Sequence, residues 1–152
     1  MLILHNIRSA QNVGALFRTA DAAGITRIYL SAITPQPIDR FGRQRTDIAK
    51  TALGAEQSVQ WESYNDIHLL LKTLKQEGVH IVAIEQSKSA VDYKTVPLQE
   101  SIVFILGNEV EGLPQAVLDK SDVVAMIPML GIKESLNVSV AGGIALFRML
   151  GI

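Results

Sequence analysis

The sequence predicts an α/β fold: one parallel sheet covered by helices on both faces, in a single domain over residues 1–152. Three observations predict it. Short apolar runs alternate with stretches of helical periodicity, the pattern of a parallel sheet with helical crossovers. Several runs, such as Ile28-Tyr29-Leu30 and Ile102 to Leu106, are apolar at successive positions, as strands buried on two faces are. No internal repeat, low-complexity tract or linker divides the chain.

The elements follow in order. Leu2-Ile3-Leu4 is a first strand. Gln11 to Ala23 is a helix with Val13, Leu16, Phe17 and Ala20 on one face; Asn12 can cap it, and Gly24 stands at the C′ position. Arg27 to Ala32 is a second strand. Ile33 to Arg45 holds Pro35, Pro37 and Gly42 and reads as a loop. Asp47 to Leu53 is a short helix ended by Gly54, and Ser58 to Trp61 a short strand, with Trp61 assigned to the core. Ser63, with Asp66 three residues on, resembles a capping box opening a helix that runs to Glu77. Val79 to Glu85 is a strand, Ser87 to Glu100 a loop, and Ile102 to Leu106 a buried strand. Pro114 suits the first turn of a helix from Leu113 to Lys120. Val123 to Ile127 is the last strand, and Asn137 to Leu150 the last helix.

Composition narrows the function. Hydrophobic residues are 48% and charged residues 19%, which implies either a large internal core or a surface hidden against a partner subunit. Cysteine is absent, so disulfides, thiolate nucleophiles and thiolate metal sites are excluded. His5, His68 and His80 show no ligand spacing, so no metal is expected. Met1 to Arg8 lacks a signal core, and no apolar run approaches the roughly 18 residues of a membrane span. The chain reads as soluble and cytoplasmic. With a net charge of −1, any contact with nucleic acid must come from a local patch.

Ligands of open parallel sheets bind beyond the carboxyl ends of the strands, which directs attention to three segments. Asn12 to Ala20 carries Asn12 and Arg18 in an otherwise apolar helix. Leu106 to Pro114 joins a buried strand to a helix; Gly107 and Gly112 allow close backbone approach, and Glu109 and Glu111 bring acid to a helix start. It lacks the glycine-lysine-serine/threonine ending of a phosphate loop and suits a cationic ligand instead. Ile127 to Ala141 leads from a strand end through a flexible turn to Ser135 and Asn137. Gly142-Gly143 inside the last helix would cost about 1 kcal/mol each relative to alanine. That cost implies close packing inside the domain or against a second subunit. The Gly-x-Gly-x-x-Gly turn of a dinucleotide-binding enzyme is missing after the first strand.

Together the three segments resemble the SpoU, or TrmH-like, branch of the SPOUT RNA methyltransferases. The matching motifs are Asn-x-Gly-x-x-x-Arg from Asn12, Gly-Asn-Glu-x-x-Gly-Leu from Gly107, and Ile-Pro-Met-x-Gly-x-x-x-Ser-Leu-Asn-Val-Ser-Val-Ala from Ile127. Order and spacing fit, and the resemblance spans nearly the whole chain. It implies a C-terminal deep trefoil knot, S-adenosylmethionine as cofactor, transfer of a methyl group to a ribose 2′-hydroxyl of tRNA or rRNA, and a homodimer with shared active sites. A non-catalytic RNA-binding or assembly module that retains the fold is the alternative. Carried onto this chain, the cofactor positions are Gly107, Ile127 and Leu136, with Ile84, Leu106 and Met129 as neighbours. The catalytic group is Arg18, Glu109, Ser135 and Asn137, supported by Asn12. Arg18 is expected to bind the target phosphate or the developing alkoxide, since a guanidinium is too weak a base to take the proton. Between Gln36 and Lys50 four cations, Arg40, Arg43, Arg45 and Lys50, outweigh Asp39 and Asp47. With Arg8 these are candidate RNA contacts, Phe41 is the best stacking candidate, and His5 a minor one. The dimer is expected through the first and last helices, along a small-residue face of Ser139, Ala141, Gly142 and Ala145.

Overall fold

A computed structural model describes residues 1–152. The strands are β1 (Leu2–His5), β2 (Arg27–Ser31), β3 (Gln60–Tyr64), β4 (His80–Ile84), β5 (Val91–Asp92), β6 (Ile102–Leu106) and β7 (Val123–Met126). They form one sheet in the order β3-β2-β1-β6-β4-β7-β5, and every pairing is parallel. The helices are α1 (Ala10–Ala22), α2 (Thr46–Ala52), α3 (Ala55–Ser58), α4 (Ile67–Gln76), α5 (Gln115–Leu118) and α6 (Val138–Leu150).

Alternation along the strands divides the core into two layers. Leu2, Leu4, Ile28, Leu30, Phe104 and Leu106 face one way and pack against α1, α2 and α6 through Leu16, Phe17, Ile48 and Leu146. Ile3, Tyr29, Ile81, Val103 and Ile105 face the other way and meet Leu70, Leu71 and Leu74 of α4 and Val117 of α5. Helices thus cover both faces, as the apolar strands require. Trp61 is only half-buried, packed against the first layer from the edge strand.

β7 lies between β4 and β5, which a segment of six residues, 85–90, connects. That segment must cross β7, and Gln86 Nε2 donates to the Ile127 carbonyl as it does so, at 2.7 Å. Such a crossing is consistent with the C-terminal knot that the resemblance implies.

Several local expectations are corrected. Ser9, not Asn12, caps α1: its Oγ accepts the Asn12 N–H at 3.2 Å. Asn12 lies inside the first turn, with its side chain free for other work. Ser63 belongs to β3, opposite Leu30 of β2; strand pairing prevails over the local capping signal. Asp66 caps α4 instead, accepting the His68 N–H at 2.8 Å. The stretch 87–100 is not all loop, since it holds β5 and a 3-10 turn at Tyr93–Thr95. Pro114 precedes α5 as its cap, and the helix is shorter than expected. Gly14 serves helix packing: a Cβ there would lie 2.4 Å from the Ile48 carbonyl oxygen of α2. Two members of the small-residue face of α6, Gly142 and Ala145, are buried inside the domain, while Ser139 and Ala141 are half-buried. A Cβ on Gly142 would meet Leu16 at 2.6 Å and Leu106 at 2.8 Å, and Ala145 is fully buried.

Candidate active site

Parallel pairing brings the carboxyl ends of all strands to one edge. β1, β6, β4 and β7 are consecutive there, so the segments that follow them converge. A pocket of about 130 Å³ opens at that point. Its apolar wall is Ile84, Leu106, Ile127, Leu136, Val138 and Ala141; its polar rim includes Glu85, Gln86, Asn108, Glu109 and Ser135. Five of the expected cofactor positions, Ile84, Leu106, Gly107, Ile127 and Leu136, line it. Met129 does not; it is half-buried in the following turn.

The β6–α5 turn is shaped by its own side chains. Asn108 Oδ1 accepts the N–H groups of Val110 at 2.9 Å and Glu111 at 3.0 Å. Asn108 Nδ2 donates to the Asn6 carbonyl at 2.8 Å, tying the turn to the end of β1. Asn6 itself is left-handed, φ 56°, a conformation asparagine tolerates better than most residues. Both glycines are required by the folding of this turn, and both also line the pocket. A Cβ on Gly107 would lie 2.8 Å from the Gly112 carbonyl carbon and the Leu113 nitrogen, and one on Gly112 2.5 Å from a Glu85 oxygen.

Glu109 is the hub. One carboxylate oxygen accepts the Ser9 N–H at 3.0 Å and Asn12 Nδ2 at 2.9 Å; the other accepts the Arg8 N–H at 3.0 Å. The carboxylate therefore sits at the start of α1, where negative charge is favoured, and not at α5, the nearer helix in sequence. Burial alone would raise its pKa, but the donations from Arg8, Asn12 and Ser9 outweigh burial and hold it below the usual carboxylate range. Glu111 is exposed. Asn12 passes the connection on: its Oδ1 accepts Asn137 Nδ2 at 3.2 Å. Asn137 Oδ1 in turn caps α6, accepting Ser139 N–H at 2.9 Å and Ser139 Oγ–H at 2.6 Å. One polar chain, Glu109–Asn12–Asn137, thus joins the three segments singled out in the sequence.

Arg18 stands apart. It is exposed on α1 and forms no part of the pocket wall. Ser135 lines the pocket, and its hydroxyl is engaged by no other residue. Arg8 contributes its backbone N–H to Glu109 while its side chain remains exposed. His5 is buried, with Nδ1 2.8 Å from Ser31 Oγ and Nε2 3.2 Å from Asn6 Nδ2, so it cannot reach RNA. It secures the ends of β1 and β2 instead. Two of the basic-loop cations are already paired: Arg43 with Asp39 at 2.8 Å, and Arg45 with Asp47. Arg40 and Lys50 have no ion-pair partner.

Glu85 was not anticipated. Its carboxylate accepts the Leu113 N–H at 2.7 Å and the Gln86 N–H at 2.8 Å, fastening the β6–α5 turn to the end of β4. It is the first residue after β4, so the strand-end rule that selected the other segments would have found it. No helix is long and apolar enough to cross a membrane, and no group of three or more His, Cys, Asp or Glu could hold a metal ion.

Residues 1–147 match the SpoU rRNA Methylase family. The chain is 32% identical over 146 residues to a 23S rRNA (guanosine-2′-O-)-methyltransferase of Neisseria meningitidis, covering 96% of this chain and 56% of that protein. It is 31% identical over 145 residues to the tRNA (guanosine(18)-2′-O)-methyltransferase of Escherichia coli, covering 95% and 60%. The chain therefore spans somewhat over half the length of these relatives. In three dimensions it resembles an AdoMet-bound rRNA methyltransferase from Sinorhizobium meliloti, with a TM-score of 0.86 at 30% identity, covering 97% of this chain and 54% of that one.

Proposed function

The chain belongs to the SpoU rRNA methylase family, and from that membership we propose that it is an S-adenosylmethionine-dependent RNA methyltransferase. Its target is a ribose 2′-hydroxyl of tRNA or rRNA. Residues 1–152 act as one catalytic domain, in the cytoplasm and as a homodimer. The observation that carries the reading is the polar chain Glu109–Asn12–Asn137, which holds three separate segments around one apolar pocket.

The pocket suits this cofactor. Ile84, Leu106, Ile127 and Leu136 supply apolar surface for a flat base, and the backbone of the two turns supplies hydrogen-bonding groups for its edge. Glu85 and Glu109 place negative charge at the rim, where a sulfonium-bearing ligand gains from it. When bound, S-adenosylmethionine supplies the electrophilic methyl carbon. This chain's residues position the acceptor and balance charge. Glu109, Asn12 and Asn137 are positioning residues, because their polar atoms are spent on one another and on helix N-termini. Ser135, unengaged at the rim, contacts the incoming ribose. Arg18 takes the RNA phosphate or the alkoxide that develops as the hydroxyl loses its proton.

Arg18 acts in the pocket of the partner subunit. Two features support this: its absence from the pocket of its own chain, and an exposed apolar surface beside that pocket. Leu130 and Ile132 are each 99% exposed, and Val140 and Ile144 lie outward on α6. This surface, rather than the small-residue face, is where a second copy docks.

Calorimetric titration tests the cofactor. S-Adenosylmethionine is expected to bind the wild type, and Leu136→Arg to weaken it by at least about a hundred-fold, since the variant brings a charge into an apolar wall. Leu136 is 38% exposed, so the variant keeps the wild-type melting temperature. No binding by the wild type at millimolar cofactor would favour the non-catalytic module. Undiminished binding by the variant would misplace the pocket.

A further inference from the structure

We propose that the tip of the β2–α2 connection is a binding site for an unpaired RNA base, stacked on the Phe41 ring with Arg40 on the adjacent phosphate. The proposal rests on the RNA-directed reading above and adds where the strand beside the target nucleotide is held.

Phe41 is 66% exposed, an unfavourable place for a phenyl ring unless something covers it. Its setting is ordered. Ile38 and Gln44 pair as an antiparallel bridge. The Asp39 N–H donates to the Arg43 carbonyl at 2.8 Å. Asp39 Oδ1 accepts the N–H groups of Phe41 at 2.8 Å and Arg43 at 3.0 Å. Gly42 takes the left-handed turn, φ 77°. The tip is a small closed hairpin that displays the ring.

Two guanidinium groups lie over that ring, Arg40 at 4.7 Å and Arg43 at 5.0 Å from its centroid. They are not equivalent. Arg43 is held by Asp39, with Nε at 2.9 Å and a terminal nitrogen at 2.8 Å from the same oxygen. Arg40 has the ring as its only partner. A nucleobase can therefore displace Arg40 from the π-face, and the released guanidinium is placed to take a phosphate. Arg43 stays behind as a fixed cationic neighbour. Aromatic ring, unpaired arginine and carboxylate-bound arginine together match the chemistry of unpaired RNA, which offers π-faces and a polyanionic backbone. A duplex hides its bases and offers only the charge.

The location fits a strand that also enters the pocket. The loop leaves the carboxyl end of β2, on the same sheet edge, and β2 is two strands from β6, roughly 10 Å at the usual strand spacing. Its base is anchored to the catalytic scaffold. The Thr34 hydroxyl donates to the Leu4 carbonyl at 2.9 Å and accepts the Ile7 N–H at 3.1 Å, just before Arg8 and Ser9 clamp Glu109.

Equilibrium binding of the full chain is measured on a mixed-sequence single-stranded 20-nucleotide RNA and on a 20-base-pair RNA duplex. Phe41→Ala is expected to weaken single-strand binding about ten-fold or more and leave duplex binding unchanged. Phe41→Trp should bind like the wild type, and Phe41→Leu like Phe41→Ala, since leucine is apolar but cannot stack. Arg40→Ala should lower the salt dependence of single-strand binding by about 0.7 in the log–log slope. Wild-type affinity in Phe41→Ala, equal losses on both RNAs, or Phe41→Leu binding as tightly as Phe41→Trp would each overturn the proposal. Cofactor titration and methyl transfer by the wild type are scored separately. Failure there removes the enzymatic reading, while the RNA-binding comparison still decides the tip.

Discussion

Arg18→Ala is expected to lose methyl transfer by about 10²–10³ in rate, the usual effect of removing a preorganised charge from a developing oxyanion, while cofactor affinity and subunit association stay unchanged. The side chain is exposed and outside its own pocket, so its removal leaves no hole in the fold. Arg18→Lys should recover only part of the rate, because an ammonium offers no planar fork to a phosphate. Mixing sharpens the test. Arg18→Ala subunits have intact pockets, and Leu136→Arg subunits have intact arginines. If each site is shared, exchanged heterodimers regain activity at one of their two sites. Sedimentation at micromolar concentration should show a dimer for both variants. Exchange without recovery would assign Arg18 to its own chain's pocket, and a monomeric wild type would remove the shared site altogether.

Glu109→Ala is the second large effect. It leaves the Arg8, Ser9 and Asn12 donors without their acceptor, and it frees α1 from the pocket turn. The Arg8 and Ser9 ends are open enough for water to replace much of the loss, so stability should fall by only about 1–2 kcal/mol. That corresponds to a melting temperature lower by roughly 3–6 °C for a chain of this size. Activity should fall further, by about 10², because a displacement of the order of 1 Å at a reacting centre has that effect. Glu109→Gln keeps one carbonyl oxygen, which can still accept from Ser9 and Asn12, and should recover most of both losses. A stable but inactive Glu109→Gln would instead make the carboxylate itself part of the proton transfer. The pH dependence has a definite sign. The Glu109 carboxyl is held below its ordinary pKa by the three donors. Its contribution to stability is therefore complete above about pH 4.3, the ordinary glutamate value, and lost as pH falls through the lowered folded value. Acid unfolding of Glu109→Gln should lack this component.

The sheet was legible because strands buried on two faces leave continuous apolar runs, and the two core layers follow from simple alternation along them. Less legible were the places where a distant partner overrides a local signal. Ser63 looks like a cap, yet pairing with Leu30 makes it strand. β5 consists of two residues and exists through its pairing with β7. Asn12 reads as a cap from sequence, and Asn137 stands at the start of the last helix. The cap is Asn137 and not Asn12, and the hydrogen bond between them spans 125 residues. The candidate site was legible as three segments and as most of the apolar wall. Its wiring was not: Glu109 reaches a helix about 100 residues away, and Glu85 acts on a turn 28 residues downstream. The basic loop shows the same limit for charge. Four cations counted along the sequence become two available ones once Asp39 and Asp47 find their arginines.

Methyl transfer from this chain's cofactor to a ribose 2′-oxygen can be observed on RNA itself. The direct measurement is incubation of the purified chain with methyl-labelled S-adenosylmethionine and total RNA, then alkaline hydrolysis and mapping of the labelled nucleotides. Label is expected in alkali-resistant dinucleotides at one or a few defined positions of tRNA or rRNA, abolished by Leu136→Arg and strongly reduced by Arg18→Ala. Label confined to bases, or no label above the Leu136→Arg background on RNA that lacks the modification, would contradict it.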